Sequence, residues 1–262
     1  RPLPDAGDFQ VAPVLIRVAS FNLMAPAGPL FPWADRPGRA ADALGRIRAD
    51  LVGTQEATPE ALEVLERRLP DYAWLGRGRR PDGRGIQCAL LYRRDRFRVL
   101  SSGHFWMSPT PEVPGSRFLG MGSCRVATWA VLEVDSRPLT WLNVHFSHLR
   151  RRRQARLVLE RLAGLPRPWL LTGDFNGTPW PAWSSHRVLV GNGPFRDRPG
   201  GPTYPAPLPV VRLDWILATS ELRCLGSRVE PSRASDHLPV VADFEHSYGS
   251  IRPGPGGLPR SP

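Results

Sequence analysis

The sequence contains no lysine, so all 35 of its basic residues are arginine; 24 residues are acidic, and the formal net charge is +11. Biased codon usage can produce such an excess of arginine. Selection for an anionic partner can produce it too, because the planar guanidinium binds phosphate through two parallel hydrogen bonds. Charge alone does not separate nucleic acid from other phosphates, so both explanations stay open at this point.

Long apolar runs are also missing. No segment approaches the roughly 20 apolar residues that span a bilayer, and no apolar signal segment stands at the N-terminus. The chain starts at Arg1 rather than methionine, which is expected if a leader has been removed or the chain trimmed. We therefore expect a soluble protein, either cytoplasmic or secreted after removal of a leader.

Cysteine is scarce. The three cysteines, Cys88, Cys124 and Cys224, are far apart and odd in number. They have neither the spacing of a zinc site nor that of a small disulfide framework. Because Cys88 and Cys224 stand among apolar residues, we expect them in the core.

Hydrophobic residues make up 41% of the 262, which is enough for one substantial core. Ends rich in Pro and Gly predict a flexible segment at 1–12 and a disordered tail at 247–262, leaving a single domain at 13–246. Apolar and β-branched runs predict strands at 14–21, 51–56, 87–92, 126–134, 139–146, 169–175, 212–218 and 239–244. Helices are predicted at 39–50, 58–69 and 151–162, with a further helix cap at Thr178-Pro179. Many strands and few helices indicate a layered α/β domain.

Polar residues collect where the predicted strands end. Asn22 ends the first strand and Glu56 the second. Asn143 and His145 lie two residues apart, so they share one face of their strand. Taken singly, each is better explained as turn chemistry or as a satisfied core residue.

The same pattern continues in the second half of the chain. Asp174 and Asn176 share a face if their strand extends through them, and Asp236 and His237 directly precede the last strand. Asp214 stands inside an apolar run, where an aspartate is costly to bury unless it is paired. His237 is a natural partner for it.

Six short motifs follow one another along the chain: Ser20-Phe21-Asn22-Leu23, Gln55-Glu56, Asn143-Val144-His145, Gly173-Asp174-Phe175-Asn176, Arg212-Leu213-Asp214-Trp215-Ile216 and Ser235-Asp236-His237. This combination resembles the endonuclease/exonuclease/phosphatase superfamily, which has the DNase I-like fold, over residues 14–245. Residues 105–116 are similar to a segment of small bacterial members. The resemblance implies an α/β (α+β) protein, a four-layer α/β/β/α sandwich of two mainly antiparallel sheets packed face to face with helices outside.

Phosphoester hydrolysis needs an in-line water, a base, charge neutralisation on the phosphoryl oxygens and help for the leaving oxygen. By resemblance, Glu56 is the main ligand of a divalent metal, Mg²⁺ or Mn²⁺, with Asp236 and Asn22 beside it. Mg²⁺ binds few carboxylates and keeps several waters, which fits a site with one strong carboxylate ligand and weaker additional ligands.

The resemblance also implies the catalytic roles. Asp174 positions or deprotonates the attacking water, and Asn176 donates to a phosphoryl oxygen. His237 contacts the phosphate or acts as general base, while Asp214 fixes its tautomer and favours its charged form. His145 serves as donor or acid on the leaving side.

Three positions depart from the family pattern. Met24 stands where many relatives carry an acidic residue, which places more of the metal binding on Glu56 and Asp236. Bacterial relatives often have an aspartate before the histidine at position 148, whereas this sequence has Ser147. We keep His148 as a weak substrate-binding candidate. Residues 117–123 also differ from the usual pattern.

The run Arg150-Arg151-Arg152-Arg153 begins a predicted helix directly after the His145 strand. Cations at a helix N-terminus face the wrong end of the helix dipole, so helix stability does not explain them. They form either a solvated surface cluster or a site for substrate phosphates beyond the scissile one. Tyr204, like Trp33, Trp180 and Trp183, follows a strand end and is a candidate for stacking on bases or rings.

We predict a metal-dependent phosphoesterase that hydrolyses a phosphodiester, with nucleic acid as the favoured partner because of the charge and the arginine run. A phosphomonoesterase, or a lipid or sugar phosphatase, on the same scaffold is the alternative. An inactive phosphate- or nucleic-acid-binding module is a third possibility, although such a module has no need of a buried Asp214–His237 pair.

Overall fold

The computed structural model describes residues 13–26, 35–119, 123–180, 184–198 and 200–246. The two predicted loose ends, 1–12 and 247–262, lie outside the described residues. Within the described ranges, no helix is long and apolar enough to cross a membrane.

Two six-stranded sheets form the centre of the molecule. The first sheet has the spatial order β11 (Leu222–Val229), β12 (Val240–His246), β1 (Val14–Asn22), β2 (Leu51–Ala57), β4 (Gln87–Arg93) and β3 (Tyr72–Leu75). The second has the order β5 (Arg98–Trp106), β6 (Val126–Val134), β7 (Arg137–His145), β8 (Trp169–Asp174), β10 (Asp214–Thr219) and β9 (Phe195–Arg196). Neighbouring strands are antiparallel except β1–β2 and β7–β8, so each sheet has one parallel pair near its middle.

The two sheets pack face to face, and their inner faces supply a core that includes Val18, Leu90, Trp141 and Leu170. Alternate residues of a strand point to opposite faces, so each of these sheets also has an outer apolar face that must be covered. The outer layers complete the four-layer α/β/β/α sandwich that the motifs predicted.

The helices cover those outer faces. On the first sheet lie α1 (Arg36–Ile47) and α2 (Pro59–Arg68), which bury Leu44, Leu62 and Leu65. Thr58 caps α2 by accepting a hydrogen bond from the backbone N–H of Ala61 at 3.2 Å, as its Thr-Pro signature predicted. On the second sheet lie α3 (Arg151–Leu162) and a π-helical turn (Arg187–Gly191).

Both parallel strand pairs end at the same end of the sandwich. Asn22 stands opposite Gln55 in the first sheet, and His145 stands opposite Asp174 in the second. Asp214 begins β10 directly opposite Asp174. We call this the motif end, because the polar residues of all six sequence motifs lie at or near it.

Some sequence predictions were wrong in detail. The cap predicted at Thr178-Pro179 begins no helix among the described residues; instead the Thr178 hydroxyl hydrogen-bonds the carbonyl oxygen of Trp180 at 2.5 Å. Strand signals were missed at β3, β5, β9 and β11, and these four are the edge strands of the two sheets.

Candidate active site

A layer of buried polar side chains underlies the motif end, between the two sheets. The amide nitrogen of Gln55 donates to Asn143 Oδ1 at 2.7 Å, and Asn143 Nδ2 donates to the carbonyl oxygen of Thr54 at 2.8 Å. A side chain at Gly53 would collide with this layer, because its Cβ would lie 2.2 Å from the Thr172 hydroxyl oxygen. Hydrogen bonds of this kind between the sheets help to fix how the sheets meet, although Gln55 Oε1 is buried without a hydrogen-bond partner among the described residues.

Asp174 lies at the centre of the site and is almost fully buried. Its Oδ1 accepts from the backbone N–H of Asn176 at 2.8 Å, and its Oδ2 accepts from Asn22 Nδ2 at 3.0 Å. Burial and the facing Asp214 carboxylate raise the pKa of Asp174 to about 7, while His237 and these hydrogen bonds act in the opposite direction. A carboxylate with a pKa near neutrality is suited to accept a proton from water.

His237 and Asp214 form the buried pair that the apolar run around Asp214 predicted. His237 Nδ1 lies 2.7 Å from Asp214 Oδ2, which also accepts from the hydroxyl of Thr203 at 2.6 Å. Burial alone would lower the pKa of His237, but the hydrogen bond and charge of Asp214, with Asp174 and Asp236, raise it to about 9. His237 is therefore a cation at neutral pH, with Nε2 3.9 Å from Asp174 Oδ2.

His145 sits on the other side of Asp174. Donors face both nitrogens of its ring: Arg125 NH1 lies 2.9 Å from Nδ1, and the amide nitrogen of Asn176 lies 2.9 Å from Nε2. His145 Nε2 also lies 3.4 Å from Asp174 Oδ2. Burial, followed by the positive charge of Arg125, lowers the pKa of His145 well below its usual value. A pKa lowered in this way keeps the ring neutral, which argues against the role of acid and leaves the role of donor as a prediction.

Asn176 holds this arrangement together. Its side-chain amide nitrogen donates to the carbonyl oxygen of Phe146 at 2.8 Å and lies 2.9 Å from His145 Nε2. Its backbone carbonyl oxygen accepts a hydrogen bond from Arg151. The sequence predicted a direct donor to a phosphoryl oxygen. In the described geometry the amide points into the protein instead, so Asn176 is a positioning residue here.

The two predicted metal ligands from the first sheet reach the site: Asn22 contacts Asp174, and Glu56 lies near His145. Glu56 Oε2 accepts from the backbone N–H of Ala25 at 2.8 Å, whereas Oε1 accepts no hydrogen bond within the described part of the chain. The side chain is 28% exposed and Oε1 lies 3.9 Å from His145 Nδ1. A carboxylate with one free oxygen at the edge of a cleft fits a hard cation that keeps most of its waters. Asn22 Oδ1 is already taken by the backbone N–H of Met24 at 2.9 Å, so Asn22 is the weaker candidate ligand.

A second set of metal-type ligands exists in the site. Asp174, Asp214 and His237 offer ligand atoms that all lie within 4.8 Å of one another. Asp214 Oδ1 in this group is buried without a hydrogen-bond partner. However, His237 Nδ1 and Asp214 Oδ2 are hydrogen-bonded to each other.

The weaker candidates lie on the rim. His148 and the side chains Arg150, Arg152 and Arg153 are exposed, and Arg151 contacts Asn176. The Tyr204 ring lies 4.9 Å from the His237 ring, so it packs against a catalytic candidate. Trp180 is exposed, and Trp33 and Trp183 lie outside the described residues.

Backbone strain concentrates at this end of the molecule. Met24, Glu56, Asn176 and Arg150 all have positive φ angles, of 52°, 53°, 46° and 65°. Non-glycine residues rarely occupy this region, which costs of the order of 1 kcal/mol each. At Glu56 the positive φ coincides with a shift in the register between β2 and β4, which falls between Thr54 and Ala57.

Sequence reasoning missed two contributors to the site. Arg125 directly precedes β6 and contacts His145. The sequence pattern that could have identified it is a single cation directly before an apolar strand. Thr203 is fully buried and donates to Asp214, but it lies in a Gly- and Pro-rich loop that carries no pattern.

A two-sheet sandwich with a buried Asp–His pair, a second histidine and a cleft carboxylate defines a phosphoester-hydrolysing class of protein. The chain belongs to the endonuclease/exonuclease/phosphatase family, whose pattern it matches over residues 19–237. Members of this family have the DNase I-like fold, act on phosphoester bonds and generally depend on a divalent metal. No curated protein sequence matches the chain.

Several solved structures share the fold. A family protein of Bacteroides thetaiotaomicron is 27% identical, with a TM-score of 0.82 over 90% of this chain and 100% of that one. A family protein of Bacteroides vulgatus is 28% identical, with a TM-score of 0.81 over 89% and 100%. A mannosyl-6-phosphatase of Bacteroides thetaiotaomicron is 27% identical, with a TM-score of 0.78 over 87% and 99%.

Proposed function

We propose that the protein is a divalent-metal-dependent phosphodiesterase that cleaves its substrate by in-line attack of water. The observation that carries the hydrolytic part is Asp174, a buried carboxylate with a pKa of about 7 between one cationic and one neutral imidazole. Such an arrangement supplies a base for water next to a positive charge for the phosphate.

The residues divide the reaction as follows. A phosphoryl oxygen binds to the charged His237, which Asp214 holds in place and keeps protonated. Asp174 takes the proton of the attacking water as the new P–O bond forms and the ester P–O bond breaks. Asn22 donates to Asp174 Oδ2 and so helps to fix the direction of that carboxylate, and His145 Nε2 lies 3.4 Å from the same oxygen.

Glu56 and Asp236 would hold the divalent cation, Mg²⁺ or Mn²⁺. Bound there, the cation supplies positive charge for the phosphoryl oxygens and the leaving oxygen. Glu56 supports this assignment with a free oxygen at the cleft, and Asp236 directly precedes the catalytic candidate His237.

A preference for phosphodiesters, and for nucleic acid as substrate, is supported by the arginines around the cleft. Seven of these arginines form no ion pair with a carboxylate within the described ranges: Arg39, Arg79, Arg84, Arg150, Arg152, Arg153 and Arg233. Two exceptions are Arg80, 3.7 Å from Asp82, and Arg212, 3.0 Å from Asp197. Uncompensated cations attract a substrate that has phosphates beyond the scissile one.

A sugar phosphomonoester is the second candidate substrate. It is favoured by the likeness to a mannosyl-6-phosphatase, which is 27% identical over 87% of this chain. A monoester uses the same Asp174, His237 and Glu56, so the site chemistry does not separate the two.

Turnover of bis- and mono-nitrophenyl phosphate, with Mg²⁺ or Mn²⁺ and with EDTA, tests the proposal. Plasmid, single-stranded DNA, abasic DNA and RNA extend the panel to natural diesters. We expect metal-dependent turnover of the diester over the monoester. Preferential monoester turnover would support the sugar phosphatase instead, and tight DNA binding without any turnover would show an inactive binding module.

A further inference from the structure

Beside the catalytic centre lies a cavity that the mechanism above does not use. Its volume is about 420 Å³, and it lies between the first turns of α1 and the loops around residues 206 and 233. Arg36, Arg39 and Arg233 line it, together with Met24 and Asp236. An adjoining cavity of about 380 Å³ shares Arg39 and Arg233, so the two form one groove, which we call the Arg39–Arg233 groove.

The groove opens next to the position proposed for the scissile phosphate. Asp236, in its wall, directly precedes His237 in the chain. Met24, also in its wall, donates its backbone N–H to Asn22, which in turn contacts Asp174. A substrate held at His237 therefore has its next few atoms at the mouth of this groove.

The charge of the groove is positive. Arg36, at its base, interacts electrostatically with Asp236 and Glu56, so its charge offsets the carboxylates on the catalytic side. Arg39 and Arg233 are exposed and form no ion pair within the described part of the chain. Asp42, in the adjoining cavity, is held by Arg68 at 2.9 Å. Three cations thus remain for a ligand: Arg39 and Arg233, which line both cavities, and Arg46, which lines the adjoining one.

The groove has the size of a ligand pocket for one small unit, since such pockets typically have volumes of about 300–1,000 Å³. Two arginines that converge on one space match the geometry of a phosphate dianion, which accepts bidentate hydrogen bonds from guanidinium groups. We infer that the Arg39–Arg233 groove binds a second phosphate group carried by the substrate on a sugar or nucleoside unit. This inference deepens the proposed function and rests on it.

Binding of matched probes to the EDTA-treated protein tests the groove without turnover. Calorimetry compares thymidine 3′,5′-bisphosphate with thymidine 5′-monophosphate, and glucose 1,6-bisphosphate with glucose 6-phosphate. We expect the bisphosphate of at least one pair to bind about tenfold more tightly, as a charge-assisted hydrogen bond allows. The pair that shows the preference identifies the unit as nucleoside or sugar.

The variant Arg39→Ala/Arg233→Ala should lose that preference, while the control Arg67→Ala, an exposed arginine on α2, should keep it. Equal affinities within both pairs for the wild type, or a preference that survives in the double variant, would overturn the inference. Both substituted side chains are exposed, and a thermal melt checks that the fold is intact.

Turnover separates the groove from the proposed function. The nitrophenyl diester of thymidine 5′-phosphate, with and without a 3′-phosphate, is hydrolysed by the wild type if the proposed function holds, with a lower KM for the 3′-phosphorylated form. Absence of turnover together with an intact bisphosphate preference would refute the function and keep the groove. Turnover with no effect of the 3′-phosphate on either KM or binding, and no preference for the sugar bisphosphate, would refute the groove alone.

Discussion

The two ends of the sandwich use the same residue type in opposite ways. At the end opposite the motif end, six arginines pair with carboxylates within 3.0 Å: Arg17, Arg93, Arg96, Arg98, Arg167 and Arg223. At the motif end, most of the arginines around the cleft have no carboxylate partner in the described part of the molecule. Arg48 and Arg94, at the opposite end, also form no ion pair with a carboxylate among the described residues, so the two ends differ in degree. The larger unpaired set at the motif end is the observation behind the proposed substrate with several phosphates.

Buried carboxylates follow a similar division, whereas non-glycine residues with positive φ also occur away from the motif end, at Arg48, Asp135 and Ser136. The motif end holds Asp174, Asp214 and His237 out of water and four non-glycine residues at positive φ. These features lower stability, and proteins keep such features where function needs them. The opposite end has surface ion pairs, which contribute little individually but leave few uncompensated charges.

The largest effect is expected from the centre of the motif end. Asp174→Asn removes the proposed base but keeps the size of the side chain, so kcat for the diester should fall by about 10²–10⁴-fold with an unchanged thermal melt. Asp243→Asn, which removes a carboxylate of the Arg17 ion pair away from the cleft, should leave kcat unchanged. Near wild-type turnover in Asp174→Asn would show that another group is the base.

Arg125→Met should have the next largest effect, because Arg125 NH1 lies 2.9 Å from His145 Nδ1 and helps to hold that ring in the site. A hydrogen bond from a charged group contributes about 1.5–3 kcal/mol, which corresponds to a fall in kcat of about 10- to 150-fold. Arg125→Lys keeps a donor and should recover part of the loss. The control is Arg94→Met, whose guanidinium donates to the Tyr72 carbonyl oxygen at the opposite end. If KM rises and kcat stays constant, Arg125 binds substrate rather than orienting His145.

Most of the central strands could be predicted from sequence, because they are buried on both faces and appear as continuous apolar runs. β8, for example, is buried at every position, and its predicted bounds differ from the structure by one residue. The four missed strands are edge strands. β11 is largely exposed and contains Gly226 at a bulge, so it lacks the run on which the prediction depended.

The sequence motifs identified the site residues that belong to them. They did not identify the residues that only the fold brings to the site. Asp174 and His237 belong to motifs, but the hydroxyl of Thr203 reaches Asp214 from a loop without periodicity. Arg125 approaches His145 only because β6 runs antiparallel to β7. Asn176 was identified, yet its predicted role differs from the contacts its amide makes, since a residue type does not specify where the side chain points.

The smallest effect is expected at the opposite end. The hydrogen bond from Arg167 lowers the pKa of Glu221 to about 2. Because both side chains are about 40% exposed, Glu221→Gln should lower the free energy of unfolding at pH 7 by no more than about 1 kcal/mol. A depressed carboxyl pKa stabilises the fold above the unfolded-state pKa, so the difference should vanish as the pH falls toward 2.

Urea denaturation of wild type and Glu221→Gln at pH 7 and at pH 3 measures that difference. Arg152→Gln, at the motif end, is the comparison and should not lower stability at either pH, since Arg152 forms no ion pair among the described residues and lies in the first turn of α3, where a cation is unfavourable. A larger loss in Arg152→Gln than in Glu221→Gln would contradict the division between the two ends.

Salt dependence of binding tests the central claim most directly, namely that the unpaired arginines of the motif end serve a substrate with several phosphates. The measurement is the affinity of the EDTA-treated protein for a single-stranded oligonucleotide against salt concentration. Arg150→Ser/Arg152→Ser/Arg153→Ser should reduce the slope of log affinity against log salt by about 2, at about 0.7 for each phosphate contact. Arg93→Ser/Arg98→Ser/Arg223→Ser at the opposite end should leave the slope at the wild-type value. Equal slopes for the two triple variants would contradict the claim.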